Sequence, residues 1–196
     1  MKFKEAESYI LEKLKNELPS NLYYHSYSHV MDVLQAAITY AEMENISEYE
    51  TALLKTAVLY HDSGFIVQIK DHEMVGCDMV QATLPEFEFT DEEIKRIQGM
   101  IMATKIPQTP HNILEQIICD SDLDYLGRED FWQIGNNLYK ELEIYGILNN
   151  QEDWNRLQLK FLSSHQYFTQ SAINLRNEKK IQHLNRVIEI VNTYTS

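Results

Sequence analysis

Residues 27–44, YSHVMDVLQAAITYAEME, contain the clearest helical pattern of the chain. Their apolar side chains recur at the i, i+3, i+4, i+7 spacing of an amphipathic helix. They are Val30, Val33, Leu34, Ala37, Ile38 and Ala41. Because such a stripe must be covered by other apolar surface, the segment predicts a helix packed among further helices.

The rest of the chain continues this pattern. With six glycines and four prolines in 196 residues, helices joined by short turns are favoured over a many-stranded fold. Ser47 with Glu50, and Thr90 with Glu93, have the capping-box spacing, and Thr109 before Pro110 predicts a helix start at residue 110. The predicted helices are 3–18, 27–44, 48 to just before 64, 71–84, 91 to beyond 101, 110 to about 127, 129–145, 151–163 and 168–193. The prediction is an all-α, single-domain compact helical bundle of about eight or nine helices.

The net charge of the chain limits the kinds of molecule that it is expected to bind. Thirty acidic residues against 17 basic ones give a net charge of −13, which argues against a nucleic-acid polymer. A small phosphorylated substrate is compatible with this negative charge, because a bound cation can reverse the local field. Two cysteines, an N-terminus interrupted by charges and no apolar run of ~18 residues predict a cytoplasmic protein with no membrane partner.

Two histidines four residues apart, His25 and His29, lie in the segment YYHSYSHVMDV. If both are helical, they project from one face, and the stripe through Val33 directs His29 inward. The alternative is that His29 is a hydrogen-bonded core residue, which is the commoner role of an inward histidine.

A His-Asp doublet, His61-Asp62, ends the helix that begins after Ser47. His61 follows Ala57 by four residues and therefore falls on the apolar stripe. A carboxylate near a helix C-terminus meets the negative end of the dipole, a conflict that a bound cation would remove. The alternative is a loop aspartate that faces water.

A third acidic segment, CDSDLDYLG (119–127), places Asp122 four residues after Ile118 on the inward face. A buried ionised carboxylate has to be paired, hydrogen-bonded or bound to metal. Periodicity separates Asp122 from Asp120 and Asp124 only weakly. Two imidazoles and two carboxylates without a thiolate would suit Mn²⁺, Fe²⁺, Co²⁺, Ni²⁺ or Zn²⁺.

The order of these segments, HSYSHVMDV, LYHDSGF and ICDSDLDYLG, resembles the HD-domain superfamily of metal-dependent phosphohydrolases over about residues 20–130. The resemblance implies an all-α fold with a metal-binding core at about 20–130, followed by C-terminal helices at 131–196. It implies one divalent metal ion (Mn, Fe, Co, Ni, Zn or Mg) held by His29, His61, Asp62 and Asp122. It also implies a metal-activated water that attacks a phosphate ester or a nucleotide.

Further residues take roles from the same resemblance. In KDHEMVG, it implies that His72 and Glu73 lie beside the metal and act with Asp62, with Glu73 orienting or deprotonating water. The alternative is an ordinary solvated pair at a helix start. Two-metal members carry further histidines in the stretch that corresponds to about residues 100–112, and this chain has Thr104 where such a histidine would be convenient. This departure favours one metal and argues against the two-metal cyclic-dinucleotide phosphodiesterases and the di-iron oxygenases.

Candidate substrate contacts are His25, Lys70 and Arg128, although lysine and arginine are more often surface residues. The scarcity of side chains that could bind a phosphate motivates a second hypothesis, a metal-containing nucleotide-binding sensor or regulatory protein without turnover. A homodimer is a further expectation. The segment FLSSHQYFTQSA (161–172) is interpreted as a helix junction capped by Thr169, rather than as a lid over the site.

Overall fold

Nine α-helices and no β-strand make up residues 1–194, the part of the chain that the computed structural model describes. The helices are α1 (Phe3–Glu17), α2 (Tyr27–Met43), α3 (Glu48–Tyr60), α4 (His72–Thr83), α5 (Asp91–Ala103), α6 (Ile113–Asp122), α7 (Phe131–Ile144), α8 (Gln151–Ser164) and α9 (Gln170–Asn192). Single turns of 3-10 helix occupy Ser63–Ile66, Leu84–Phe87 and Asp124–Gly127. The predicted all-α class and helix number are confirmed.

Side-chain caps define most of the helix starts. Thr90 and Glu93 form a complete capping box at the start of α5, and the hydroxyl of Ser47 accepts from the backbone N–H of Glu50 at the start of α3. The predicted start of α6 at Pro110 is wrong. Asn112 caps this helix instead, because its side-chain oxygen accepts from the N–H groups of Leu114 and Glu115. The helix also ends at Asp122 rather than near residue 127.

Helix α3 lies at the centre of the larger core and is contacted by α1, α2, α4, α5 and α6. Leu53, Leu54, Ala57, Val58 and Leu59 are fully buried along it. Truncation of one such leucine to alanine typically costs about 2–5 kcal/mol. This packing on all sides carries the end of α3, and with it His61, into the interior.

The C-terminal helices are fastened to this core by buried carboxylates. Asp120 accepts hydrogen bonds from the backbone N–H groups of Phe168 and Thr169 and from the Thr169 hydroxyl. Burial raises the pKa of Asp120 to about 6, against the lowering effect of these hydrogen bonds. Thr169 also caps α9, which confirms the predicted helix junction. No helix within residues 1–194 is long and apolar enough to cross a membrane.

A second, smaller apolar cluster lies among the 3-10 turn at Asp124–Gly127 and helices α7, α8 and α9. Its buried members are Tyr24, Leu123, Tyr125, Leu126, Phe131, Leu162, Val187 and Val191. Asp124 joins this region to α2 and α9 through the Tyr40 hydroxyl and the Arg176 guanidinium. The two clusters meet where α3 and α6 end.

Candidate metal centre and adjoining cavity

Three side chains from three helices converge at this meeting point. His29 projects from α2, His61 follows the last turn of α3, and Asp122 is the last residue of α6. One ligand atom from each lies within 4.8 Å of the others, so the group could hold a metal ion. His29 Nε2 lies 3.1 Å from Asp122 Oδ1, and His61 Nε2 lies 3.5 Å from the same oxygen.

Asp62 completes the arrangement. Its Oδ2 atom lies 3.4 Å from His29 Nε2 and 3.3 Å from His61 Nε2. The residue is 3% exposed, so the alternative of a loop aspartate facing water does not hold. The structure thus brings together the four residues that the sequence analysis assigned to the metal.

The donor atoms fit a cation. His61 Nδ1 lies 2.7 Å from the carbonyl oxygen of Val58, which holds the proton on Nδ1 and leaves the Nε2 lone pair free for a metal. Within residues 1–194, neither His61 Nε2 nor Asp62 Oδ2 has a hydrogen-bond partner, although both atoms are buried. Since buried polar atoms are normally satisfied, two orphan acceptors side by side indicate a site for a positively charged ligand.

The electrostatics favour ionised carboxylates. Burial opposes the charge on Asp62, but the neighbouring imidazoles of His61 and His72 hold the pKa of this carboxyl well below its usual range. Burial likewise opposes the charge on Asp122, but the hydrogen bond with His29 and the neighbouring imidazole of His61 lower the pKa of that carboxyl. Conversely, burial lowers the pKa of His61, but the two carboxylates outweigh it and raise that pKa well above its ordinary value. A proton on His61 therefore competes with the binding of a metal ion at this residue.

His72 and Glu73 begin α4 beside the metal centre. His72 Nδ1 lies 3.1 Å from the carbonyl oxygen of Ile69, which turns Nε2 toward Asp62 Oδ1 at 3.5 Å and Glu73 Oε1 at 3.7 Å. Glu73 is 7% exposed, so the pair is not an ordinary solvated one. Gly64 allows this approach, because a Cβ there would lie 2.0 Å from the His72 carbonyl oxygen.

His25 is held by a residue that the sequence analysis missed, Glu141 on α7. The Glu141 carboxylate pairs with His25 Nδ1 and accepts from the backbone N–H groups of Tyr24 at 2.8 Å and His25 at 3.1 Å. Phe65 stacks on the His25 ring at a centroid distance of 4.2 Å and contacts the His72 ring at 4.1 Å. Glu141 follows Leu138 by three residues on an apolar stripe, so its inward position is predictable from the same helical spacing as that of Asp122.

A cavity of about 280 Å³ opens onto the metal centre. The polar side chains at this end belong to His25, Asp62, His72, Glu73 and Asp122. Beyond them, the walls are apolar and come mainly from α7, α8 and the turn after α6. Five of the predicted site residues therefore share one cavity.

The two cationic candidates lie elsewhere. Arg128 lines a separate depression, and its guanidinium contacts the carboxylates of Asp32, Asp124 and Asp130 at 2.6–3.3 Å. Lys70 is exposed on the loop before α4 and does not line the cavity. The structure does not bring either residue to the metal centre.

Thr104, at the position where a second-metal histidine would be convenient, is buried at the cavity wall. Its hydroxyl donates to the Ile101 carbonyl oxygen at 2.8 Å. The hydroxyl of Thr104 therefore already has a backbone partner at the end of α5. The expectation of a single metal stays a prediction.

Comparison with known proteins gives structural relatives alone, since neither a scan against protein-family models nor a search of curated proteins finds a match. A predicted HD superfamily hydrolase from an uncultured Thermotogales bacterium has a TM-score of 0.63 at 16% identity, covering 97% of this chain and 92% of that one. Bacillus subtilis YpgQ, crystallised in complex with ADP, has a TM-score of 0.67 at 18% identity, covering 98% and 97%. A Lactobacillus plantarum protein has a TM-score of 0.72 at 14% identity, covering 100% and 99%. These likenesses span nearly the whole of each chain, and the fold that they show is of the HD-domain type.

Proposed function

We propose that the protein is a metal-dependent phosphohydrolase acting on a small phosphate ester or nucleotide. The observation that carries the proposal is the convergence of His29, His61, Asp62 and Asp122 at the end of a cavity of about 280 Å³. Two of the atoms that could bind a metal, His61 Nε2 and Asp62 Oδ2, are buried and have no hydrogen-bond partner in the described part of the chain. A closed structural site would more often use cysteine and would not open onto a cavity.

His29, His61, Asp62 and Asp122 would hold one divalent cation. When bound, such a cation lowers the pKa of water and polarises a phosphoryl oxygen, which are the two requirements of hydrolysis at phosphorus near neutral pH. The nitrogen and oxygen donors are compatible with Mn²⁺, Fe²⁺, Co²⁺, Ni²⁺, Zn²⁺ or Mg²⁺.

The surrounding side chains would handle the proton and the substrate. In this proposal, the Glu73 carboxylate orients the attacking water and accepts its proton, since it lines the cavity beside Asp62. His72, fixed through Nδ1, presents Nε2 to the same space. His25, fixed by Glu141, contacts the substrate phosphate through its other ring nitrogen. Arg128 and Lys70 have no part, because they lie outside the cavity.

The structural relatives support this class of reaction without identifying the substrate. One is a predicted hydrolase, and another was crystallised with ADP, which keeps nucleotides among the candidate substrates. A nucleotide-binding regulatory protein without turnover is the second candidate. It is favoured by one observation: no lysine or arginine within residues 1–194 lines the cavity. A cytoplasmic location and a homodimer stay predictions.

The test combines metal analysis with turnover. Purified protein is analysed for metal and assayed with Mn²⁺, Co²⁺ or Mg²⁺ on phosphomonoesters, phosphodiesters and nucleotides. Asp62→Ala should lose both metal and hydrolysis, whereas Glu12→Ala, which removes an exposed carboxylate on α1, should retain both. Absence of metal, or hydrolysis that survives Asp62→Ala, would refute the proposal. A ligand-dependent thermal shift without product would favour the regulatory alternative.

A further inference from the structure

The cavity changes character away from the metal centre. Its walls there are made by Leu126, Phe131, Leu138, Leu142, Trp154 and Leu157, of which Leu157 is partly exposed to solvent. Lysine and arginine are absent from this lining throughout the described chain. At about 280 Å³, the space is at the small end of the range for ligand pockets, so this apolar part has to accommodate one compact group.

One amide side chain, Gln158 on α8, interrupts the apolar lining. It is 6% exposed, and its Oε1 atom is buried without a hydrogen-bond partner within residues 1–194. An unsatisfied buried acceptor of this kind typically costs about 1–3 kcal/mol, and leucine would fill similar space without that cost. The amide lies close to α7, because a Cβ on Gly135 would come within 3.2 Å of Gln158 Nε2.

We propose that this apolar part of the cavity binds the organic group of the substrate, and that this group is an apolar chain or ring carrying one hydrogen-bond donor. A hydroxyl or N–H on the ligand would pair with Gln158 Oε1, while apolar atoms contact the leucine and aromatic walls. The inference rests on the proposed function only in placing the phosphate at the metal centre. It narrows the substrate to phosphate esters of small, mostly apolar alcohols.

The lining also disfavours a nucleoside polyphosphate. Its charges beyond the metal would face leucine, phenylalanine and tryptophan side chains without a cation to pair with them. A ribose would likewise bury several hydroxyl groups against one free amide oxygen. An apolar chain gains from the same walls, by roughly fourfold in affinity for each methylene that is fully buried.

The experiment compares two homologous series, alkyl phosphates and ω-hydroxyalkyl phosphates from two to eight carbons. Binding to the metal-loaded protein is measured by calorimetry, under conditions in which no product forms during the titration. Affinity should rise with chain length in both series until the cavity is full. At the chain length that reaches Gln158, the hydroxylated ligand should gain about fivefold to tenfold over its alkyl partner.

Three variants separate recognition from folding. Gln158→Leu should abolish the hydroxyl-dependent gain, keep the chain-length dependence and unfold at the same or a higher temperature. Gln133→Leu makes the same change at an exposed position of α7 and should leave both series unchanged. Leu142→Trp, which fills part of the cavity, should reduce the affinity for long chains while the metal content stays at the wild-type level.

The result is independent of hydrolysis. The metal-free wild-type protein should still bind 1-alkanols, which carry no phosphate, with affinity rising along the chain. If alkanols bind there but no phosphate ester is hydrolysed by the wild type, the proposed function fails and the cavity assignment stands. Affinity that does not depend on chain length, or AMP and ADP binding more tightly than every alkyl phosphate, would overturn the assignment.

Discussion

Glu141→Gln should disturb the protein at a single, well-defined place, the contact between α7 and the loop that carries His25. The carboxylate accepts two backbone N–H groups through one oxygen and pairs with His25 Nδ1 through the other. It is 2% exposed, and hydrogen bonds from His25 and the two backbone amides lower its pKa against the effect of burial. It is therefore ionised at neutral pH.

The size of the effect follows from these contacts. The glutamine oxygen can keep the two backbone hydrogen bonds as neutral ones, with a loss of about 1 kcal/mol each, or about 2 kcal/mol together. For a chain of this length, that loss corresponds to a fall of roughly 4–8 °C in melting temperature. The glutamine NH₂ would then face His25 Nδ1, so Nδ1 becomes the acceptor and the proton moves to Nε2.

The assay therefore has three measurements. Calorimetry follows unfolding, nitrogen NMR of the imidazole reports the His25 tautomer, and steady-state kinetics follow hydrolysis. By analogy with residues that orient metal-bound imidazoles, kcat/KM should fall about 10- to 100-fold. Glu143→Gln, at an exposed position on the same helix, should match the wild type. Wild-type melting and an unchanged tautomer in Glu141→Gln would refute the reasoning.

Three further changes test other parts of the structure. Gly64→Ala places a Cβ 2.0 Å from the His72 carbonyl oxygen. The free energy of unfolding, measured with denaturant, should fall by at least about 1–3 kcal/mol, and cation binding should weaken. Wild-type stability would exclude the close packing. Cation affinity should increase with pH through the neutral range with release of protons, because neighbouring carboxylates raise the pKa of His61; calorimetry in buffers of different ionisation enthalpy measures this, and a pH-independent affinity would contradict it. Arg128→Ala should lower stability by about 1–3 kcal/mol and leave KM unchanged, since its guanidinium contacts carboxylates outside the cavity; a higher KM would instead place it in substrate binding.

Features encoded locally could be predicted from the sequence. Apolar spacing and caps such as Thr90 locate most helix ends to within a few residues. The positions of His29, His61 and Asp122 on inward helix faces could also be predicted from the apolar spacing. The start of α6 was missed because Thr109 and Asn112 are both good capping residues, and the choice depends on which side chain reaches the free N–H groups.

Long-range partners could not be predicted from local patterns. Arg128 was a reasonable phosphate contact by position, but Asp32, 96 residues away on α2, engages its guanidinium. His25 and Glu141 are 116 residues apart, and nothing in either segment specifies the other. The orphan oxygen of Gln158 is likewise a property of tertiary packing, because a glutamine on a helix gives no sign of being unpaired.

The central claim is that His29, His61, Asp62 and Asp122 form a metal centre, and calorimetric titration of metal-free protein with Mn²⁺ tests it most directly. One Mn²⁺ per chain should bind to the wild type and to His111→Gln, which alters an exposed histidine. His61→Gln, folded as judged by circular dichroism, should lose this binding. No binding to the wild type, or unchanged binding to His61→Gln, would contradict the claim.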